Sequence, residues 1–217
     1  MKTVLVTGGT TRIGKAIADK LRADGWRVLA SSHRADSEAD ITADLSEPMG
    51  AAKLYLRALE IAPDICAIVN NAAVFTGDAA EMNLINLEAP KKLTMLLAGK
   101  EDCKCAIVNI LDAEVVGGGV CDNLNEGEKG AYLKTKRELL EYTRKAACLF
   151  AQTLRVNAVA PGPVLAPVAV HEKAGETLLD RRPTAADVAD AVAYLLAAES
   201  VTGAIIPVDS GQHLIQG

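Results

Sequence analysis

A tyrosine and a lysine four residues apart carry the most specific chemistry in this 217-residue sequence. Tyr132 and Lys136 lie in a segment with helical periodicity, so this spacing places both side chains on one face. A tyrosine with a pKa of about 10 is a poor acid–base catalyst at neutral pH, but a neighbouring ammonium lowers that pKa. The pair is therefore predicted to act in general acid–base catalysis. Taken without its context, the pair is better explained as part of an exposed helix surface.

A glycine-rich turn near the start of the sequence predicts a nucleotide site. It follows an apolar strand, precedes a helix, and reads Thr7-Gly8-Gly9-Thr10-Thr11-Arg12-Ile13-Gly14. Glycines permit a tight turn and let the backbone approach a pyrophosphate, while the helix N-terminus supplies unpaired N–H groups. Glycines also serve plain turns, but the position between the first strand and the first helix favours dinucleotide binding.

The end of the second predicted strand favours NADPH over NADH. An acid at this point would bind the ribose 2′-hydroxyl of NAD, whereas a nearby arginine suits the 2′-phosphate of NADP. The strand ends in Ser32-His33-Arg34, so the acid is missing and Arg34 offers a planar donor fork for a phosphate. Ser32 adds a hydroxyl group and Arg12 a second positive charge. The alternative is that Arg34 is a solvated loop residue.

The elements that must position these residues alternate along the whole chain. The apolar pattern predicts strands at 3–7, 27–31, 65–70, 104–110, 154–159 and 204–208, a short strand near Ile41, and helices at 13–23, 47–61, 81–99, 129–151 and 184–197. This alternation predicts a Rossmann-like, doubly wound α/β fold of about seven parallel strands, with helices on both faces, in a single domain over 1–217. Ligands in such folds bind outside the carboxyl ends of the strands, so the irregular stretches 112–128 and 161–182 are predicted to border a cleft.

Composition narrows the range of functions. Aromatic residues make up only 3% of the chain, so aliphatic side chains must fill the core, as in buried parallel sheets. A net charge of −5 argues against nucleic acid or an anionic membrane as a partner. The five cysteines lack the spacing of a metal site or a disulfide framework, so no metal is expected. No targeting segment or membrane-length apolar run is recognisable, and a cytoplasmic location is expected.

Together these motifs resemble the short-chain dehydrogenase/reductase family over essentially the whole chain. The first turn resembles the TGxxxGxG signature with Arg12 in place of the middle glycine, and Asn70-Asn71-Ala72-Ala73 resembles NNAG. Tyr-x-x-x-Lys follows at the expected distance, and residues 155–164 and 201–211 resemble the RVNxVxPGxV and TGxxxxVDGG segments. Arg12 and the His33-Arg34 pair resemble the residues found at these positions in the pteridine reductase and dihydromonapterin reductase branch of the family.

The resemblance implies further roles around an NADPH cofactor. It places Asp44 and Leu45 at the adenine and Asn86 beside a proton-relay water. It also implies that Lys136, with Tyr132, holds the nicotinamide ribose. The remaining cofactor neighbours that it implies are Asn71, Ala72, Ala73, Pro161, Gly162 and Val164. The segments 33–40 and 165–182 are shorter than the family pattern, and a homotetramer or homodimer with contacts through the helices at 81–99 and 129–151 is expected.

One departure from the family pattern bears on the substrate. Asp112 stands where the family usually has serine, and pteridine reductases also carry an acid there, which suits proton delivery to a ring nitrogen. In that branch an aromatic residue at the position of Phe75 stacks the pterin against the nicotinamide. Arg12, Phe75, Asp112 and Tyr132 are thus the expected substrate contacts. A general NADPH carbonyl reductase and a non-catalytic NADPH-binding sensor are the alternatives.

Overall fold

A seven-stranded parallel sheet organises the residues described by the computed structural model, which are 2–100, 104–117, 127–164 and 177–215. Its strand order is β3-β2-β1-β4-β5-β6-β7. The strands are β1 (Thr3–Val6), β2 (Arg27–Ser32), β3 (Ile41–Thr42), β4 (Ile65–Asn70), β5 (Cys105–Ile110), β6 (Leu154–Pro161) and β7 (Ile205–Val208). The helices are α1 (Arg12–Ala23), α2 (Gly50–Ile61), α3 (Ala79–Asn83), α4 (Ala89–Ala98), α5 (Gly127–Leu149) and α6 (Ala185–Ala197). The predicted doubly wound α/β fold is confirmed.

Side chains that alternate along the strands divide the core into two parts, one on each face of the sheet, and each part is covered by helices. Leu5 and Ile68 pack on one face with side chains of α2 and α4, while Val4 and Val69 pack on the other with α1 and α6. Successive strand residues point to opposite faces, so the central strands are buried on both sides. This burial explains why the sequences of the central strands are continuous runs of aliphatic residues.

Two predicted helices differ from the structure in an informative way. The helix predicted over 47–61 begins only at Gly50, where an added Cβ would lie 1.9 Å from the Asp44 carbonyl oxygen. The helix predicted over 81–99 consists of α3, a π-helical turn at Leu84–Glu88, and α4. Residues 33–40 contain no helix, as their short length predicts. Most of the predicted segment 165–182 lies outside the described residues.

The chain reverses its direction of winding between β1 and β4, and this is where the two turns that follow them meet. The Thr7 hydroxyl oxygen accepts hydrogen bonds from the backbone N–H groups of Asn71 and Ala72, each at 3.0 Å. The Asn71 side-chain amide donates to the carbonyl oxygens of Thr7 at 2.9 Å and Gly8 at 3.2 Å. These bonds hold the glycine-rich turn against the end of β4, at the crevice where ligands of such folds bind.

Replacing Thr7 with valine should destabilise the protein while keeping the side-chain shape. The Ala72 N–H loses its acceptor, and the Asn71 N–H keeps only the Val69 carbonyl oxygen at 3.1 Å. The expected loss in the free energy of unfolding is about 1–3 kcal/mol. Urea denaturation measures it, with the exposed Thr153→Val as the matched control, expected to change stability by less than about 0.5 kcal/mol. Equal stability of Thr7→Val and wild type would contradict this account of the turn.

Candidate active site

A single cleft of about 820 Å³ at the carboxyl ends of the strands collects nearly all the residues that the sequence predicts as functional. It is lined by Gly8, Thr10, Thr11, Arg12, Ile13, Gly14, Ser32, His33, Arg34, Asp44, Leu45, Asn71, Ala72, Ala73, Phe75, Asp112, Tyr132, Lys136, Pro161, Gly162 and Val164. Asn86 is the exception and lies behind the lining.

The glycine-rich turn forms a tight cradle, in which side chains at two of its glycines would not fit. A Cβ added at Gly14 would lie 2.0 Å from the Gly8 carbonyl oxygen, and one at Gly8 would lie 3.1 Å from the Asn71 amide nitrogen. Gly8 has a φ of 62° and Arg12 a φ of 51°, so both adopt the left-handed region that favours glycine. Glycine is therefore needed for the turn to pack closely on itself and on the end of β4. The turn brings the N-terminus of α1 to the cleft, which fits the pyrophosphate of a dinucleotide.

The adenine end of the cleft is built from short polar turns. The backbone N–H of Arg34 donates to the Ser32 hydroxyl oxygen at 3.1 Å. The Arg34 guanidinium donates from Nε and Nη2 to the two carboxylate oxygens of Asp36, at 3.2 and 3.1 Å. Asp44 accepts hydrogen bonds from the hydroxyl and backbone N–H of Ser46, which lower the pKa of its carboxyl. The predicted phosphate ligand Arg34 thus already has an anionic partner.

At the other end, Tyr132, Lys136 and Asp112 form a polar group, in which Lys136 is buried and the other two are partly buried. The Tyr132 hydroxyl donates to Asp112 Oδ2 at 3.1 Å, while the backbone N–H of Glu114 donates to Asp112 Oδ1 at 2.9 Å. Lys136 Nζ donates to the Ile110 carbonyl oxygen at 2.8 Å and lies 5.6 Å from the centre of the Tyr132 ring. One turn of α5 and the end of β5 thus bring together the residues predicted to be catalytic.

The electrostatics of this group correct one sequence-based expectation. The pKa of Tyr132 is raised well above 10 rather than lowered by Lys136, because burial and then Asp112 disfavour the phenolate. Burial also raises the pKa of Asp112 and lowers that of Lys136 to about 8. The sequence argument failed because desolvation penalises every charged form here, an effect that the spacing of residues does not reveal.

Asn86 supports the cleft from behind. It lies in the π-helical turn, is buried, and exchanges two hydrogen bonds with the backbone of Val74 at 2.9 and 2.8 Å. Its amide also donates to the Thr135 hydroxyl oxygen at 3.3 Å. Asn86 therefore links the segment after β4 to α5. Its predicted part in a water relay stays a prediction.

Phe75 lies where a flat substrate ring could stack. The side chain is 43% exposed, and its ring centre is 4.8 Å from that of Tyr132 at an interplanar angle of 59°. Aromatic pairs at such distances and tilts attract each other. Phe75 and Tyr132 thus form a partly exposed aromatic corner beside Asp112.

Sequence reasoning missed several lining residues. They are Ser31, Ala43, Ser46, Val74, Thr76, Glu81, Ile85, Ile110 and Leu111. Most flank a predicted residue at the carboxyl end of a strand, which is the signal that could have found them. Glu81 and Ile85 come from α3 and the π-helical turn, and no local pattern marks them.

The described ranges hold neither a metal-binding cluster nor a membrane-spanning helix. They contain no group of three or more histidine, cysteine or acidic residues arranged to hold a metal ion. None of their helices is both long and apolar enough to cross a membrane.

Comparisons with known proteins agree with the geometry. A family model described as enoyl-(acyl carrier protein) reductase matches residues 9–213. Dihydromonapterin reductase of Citrobacter koseri is 28% identical over 97% of this chain and 96% of its own. The granaticin polyketide synthase putative ketoacyl reductase 2 of Streptomyces violaceoruber is 29% identical over 97% and 96%. The structure of FolM alternative dihydrofolate reductase 1 from Brucella canis, complexed with NADP, is 31% identical, with a TM-score of 0.82 over 98% of this chain and 94% of that chain.

The lowered pKa of Lys136 predicts a pH-dependent stability. Between the folded pKa of about 8 and the ordinary value of 10.5, the unfolded chain binds one more proton, so the free energy of unfolding rises with pH. The gain in stability above pH 8 disappears as the pH falls from 10.5 to about 8, and below that both states bind the proton, so Lys136 adds no further pH dependence. The stability of wild type relative to Lys136→Met should therefore increase by up to about 1.4 kcal/mol per pH unit.

Urea denaturation of the cofactor-free protein from pH 8 to about pH 9.5 tests this, because unfolded cysteines and tyrosines that titrate in this range are common to both proteins and cancel in the difference. The exposed Lys134→Met on the same helix is the control, and its stability relative to wild type should stay constant with pH. A constant difference for Lys136→Met as well would refute the lowered pKa.

Proposed function

The chain belongs to the short-chain dehydrogenase/reductase family, and we propose that it is an NADPH-dependent reductase of a pterin. The observation that carries the proposal is the hydrogen bond from the Tyr132 hydroxyl to Asp112, in a cleft shared with the exposed ring of Phe75. The similarity to a dihydromonapterin reductase and to an alternative dihydrofolate reductase supports this branch of the family. The substrate would be of the dihydropteridine, dihydromonapterin or dihydrofolate type.

The residues of the cleft fit NADPH along its whole length. The cradle at Gly8 and Gly14 and the N-terminus of α1 would hold the pyrophosphate. Arg34 and Ser32 would bind the 2′-phosphate, which an arginine fork suits better than a hydroxyl. Lys136 would hold the nicotinamide ribose. The complex of the Brucella protein with NADP supports the same cofactor in this chain.

NADPH placed along the cleft in this way would contact further residues. His33, Asp44 and Leu45 line the adenine end, and the turns after β1, β4 and β6 line the rest. The residues of those turns assigned to the cofactor are Thr10, Thr11, Arg12, Ile13, Asn71, Ala72, Ala73, Pro161, Gly162 and Val164.

Proton delivery is the chemistry that this chain would contribute. NADPH, when bound, supplies a hydride to the carbon of a C=N bond, and the nitrogen then requires a proton. The raised pKa of Asp112 favours its protonated form, and the hydrogen bond to Tyr132 connects the two groups, so the pair can donate to a ring nitrogen. Asn86 would keep the Val74–Phe75 segment in place behind the reacting ring.

Substrate orientation would come from aromatic stacking. Phe75 presents a partly exposed ring beside Tyr132, and a flat heteroaromatic ring gains about 0.5–1.5 kcal/mol from such a contact beyond the burial of its area. Arg12, which lines the same cleft, would contact substrate or cofactor from the opposite turn.

A carbonyl reductase is the second candidate. The match to an enoyl-(acyl carrier protein) reductase model and to a putative ketoacyl reductase favours it. In that function Tyr132 alone would donate a proton to a ketone or aldehyde oxygen. Asp112 argues against it, because proton donation to a carbonyl oxygen needs only Tyr132, whereas a second acidic group hydrogen-bonded to Tyr132 suits proton delivery to a ring nitrogen.

We also propose that the enzyme assembles as a homotetramer or homodimer in the cytoplasm. Met95 on α4 is 57% exposed, and Leu149 at the end of α5 is 75% exposed. Large apolar side chains on neighbouring helices suit a contact between copies of the chain.

Substrate turnover distinguishes the two candidates. Oxidation of NADPH by purified protein should be observed with dihydrobiopterin, dihydromonapterin or dihydrofolate and should be absent with simple ketones and 3-ketoacyl thioesters. NADH measured in parallel checks the cofactor. Turnover of ketones alone would favour the carbonyl reductase, and NADPH binding without turnover of any compound would indicate a non-catalytic sensor.

Replacing Tyr132 with phenylalanine should lower kcat at least about 100-fold, the usual contribution of a general acid, while NADPH still binds. Steady-state kinetics and NADPH fluorescence titration measure the two quantities. Tyr142→Phe is the control, because Tyr142 lies on the same helix and its hydroxyl donates to the Lys91 carbonyl oxygen away from the cleft. Unchanged kcat in Tyr132→Phe would remove the hydroxyl from the mechanism.

A further inference from the structure

The side chain of Asp36 occupies the donor fork that the proposed function assigns to a phosphate. Both carboxylate oxygens accept from Arg34, one from Nε at 3.2 Å and one from Nη2 at 3.1 Å. This parallel, two-bond arrangement is also the one in which arginine binds phosphate oxygens. The carboxylate therefore takes the position that an anionic group of a ligand would need on these two N–H groups.

The local backbone keeps the two side chains together. Ser37 donates from its hydroxyl to the Arg34 carbonyl oxygen at 2.6 Å and from its backbone N–H at 3.3 Å, which closes a tight turn over residues 34–37. The Arg34 backbone N–H is bound in turn to Ser32 at the end of β2. Asp36 is thus held beside Arg34 by the turn itself.

We propose that Asp36 is a specificity residue that opposes Arg34 and reduces the preference of the cleft for NADPH over NADH. The inference rests on the proposed function, since it concerns the same cofactor site. A 2′-phosphate must either displace the carboxylate from the guanidinium or bind beside it, and like charges repel in both arrangements. A ribose 2′-hydroxyl has no such conflict, because a carboxylate accepts its hydrogen bond.

The charges and the exposure of Arg34 and Asp36 determine how strongly Asp36 affects coenzyme binding. The hydrogen bond between them raises the pKa of Arg34 and lowers that of Asp36, so both are charged at neutral pH. The side chains are 60% and 73% exposed, so solvent and salt screen their interaction. The effect on binding is therefore severalfold rather than many orders of magnitude, as for other exposed ion pairs.

The test is the binding of both coenzymes to Asp36→Asn, without any substrate. Dissociation constants for NADPH and NADH come from titration of coenzyme fluorescence at low and high salt. Asp36→Asn should bind NADPH about two- to fivefold more tightly and NADH no more tightly, and the gain should shrink in high salt. Thermal melting checks that each variant is folded.

Glu60→Gln is the matched control. Glu60 forms an exposed ion pair with Arg57 at 2.6 Å, with side chains 62% and 67% exposed, and it does not line the cleft. The substitution removes the same single charge from a similar arginine–carboxylate pair. It should leave the ratio of the two dissociation constants unchanged, so a general effect of net charge is separated from an effect of Asp36.

The outcomes separate this inference from the proposed function. A ratio that shifts towards NADPH in Asp36→Asn alone supports the inference, even if no pterin is reduced. A ratio equal to that of Glu60→Gln, or weaker NADPH binding in Asp36→Asn, overturns it while leaving the pterin reductase intact. Absence of binding of either coenzyme to wild type overturns both.

Discussion

The hydrogen bonds between the turn after β1 and the turn after β4 are the interaction on which the rest of the site depends. A parallel sheet brings the carboxyl ends of its strands to one edge, but it does not by itself fix the turns that leave them. The Thr7 hydroxyl and the Asn71 amide do so, because together they satisfy backbone groups of both turns. The two turns are held together in this way, and they line the cleft between its adenine end and its catalytic end.

At the catalytic end, burial is the dominant physical effect. It shifts the pKa of Asp112 upwards and that of Lys136 downwards, so both groups move towards their neutral forms. A buried ionisable group costs stability, and such costs are concentrated at functional sites. The hydrogen bonds from Tyr132 to Asp112 and from Lys136 to the Ile110 carbonyl oxygen offset part of that cost and fix the side chains in a defined geometry.

At two positions where the family has glycine, this chain has another residue but keeps the backbone conformation that glycine favours. Arg12 replaces the middle glycine of the first signature and Ser210 replaces a glycine of the last, and both have positive φ, at 51° and 56°. A side chain in this region costs on the order of 1–3 kcal/mol where the residue is strained. At Arg12 the exchange brings a cation into the cleft. Ser210 lies away from that cleft, and its carbonyl oxygen accepts hydrogen bonds from the backbone N–H groups of Leu178 and Leu179 at 2.9 and 3.1 Å.

The sequence by itself determined the elements and the chemistry that is local along the chain. Strand and helix periods defined the fold, the glycines of the first turn marked the cradle, and the spacing of Tyr132 and Lys136 placed both on one face of α5. These features depend only on residues close together along the chain, so the sequence alone is enough to predict them. The assignments of Asp112 and Phe75 required the resemblance to a family, because neither residue belongs to a local pattern.

Only the tertiary structure decided how these residues act on one another. It showed that Asp36 holds Arg34, that Asn86 lies behind the cleft in a π-helical turn, and that the pKa of Tyr132 is raised. The reason is physical: burial, and contacts between residues far apart in the chain, set the energies of charged groups. Neither is encoded in spacing, and desolvation of Tyr132 overcame the influence that the sequence alone assigned to Lys136.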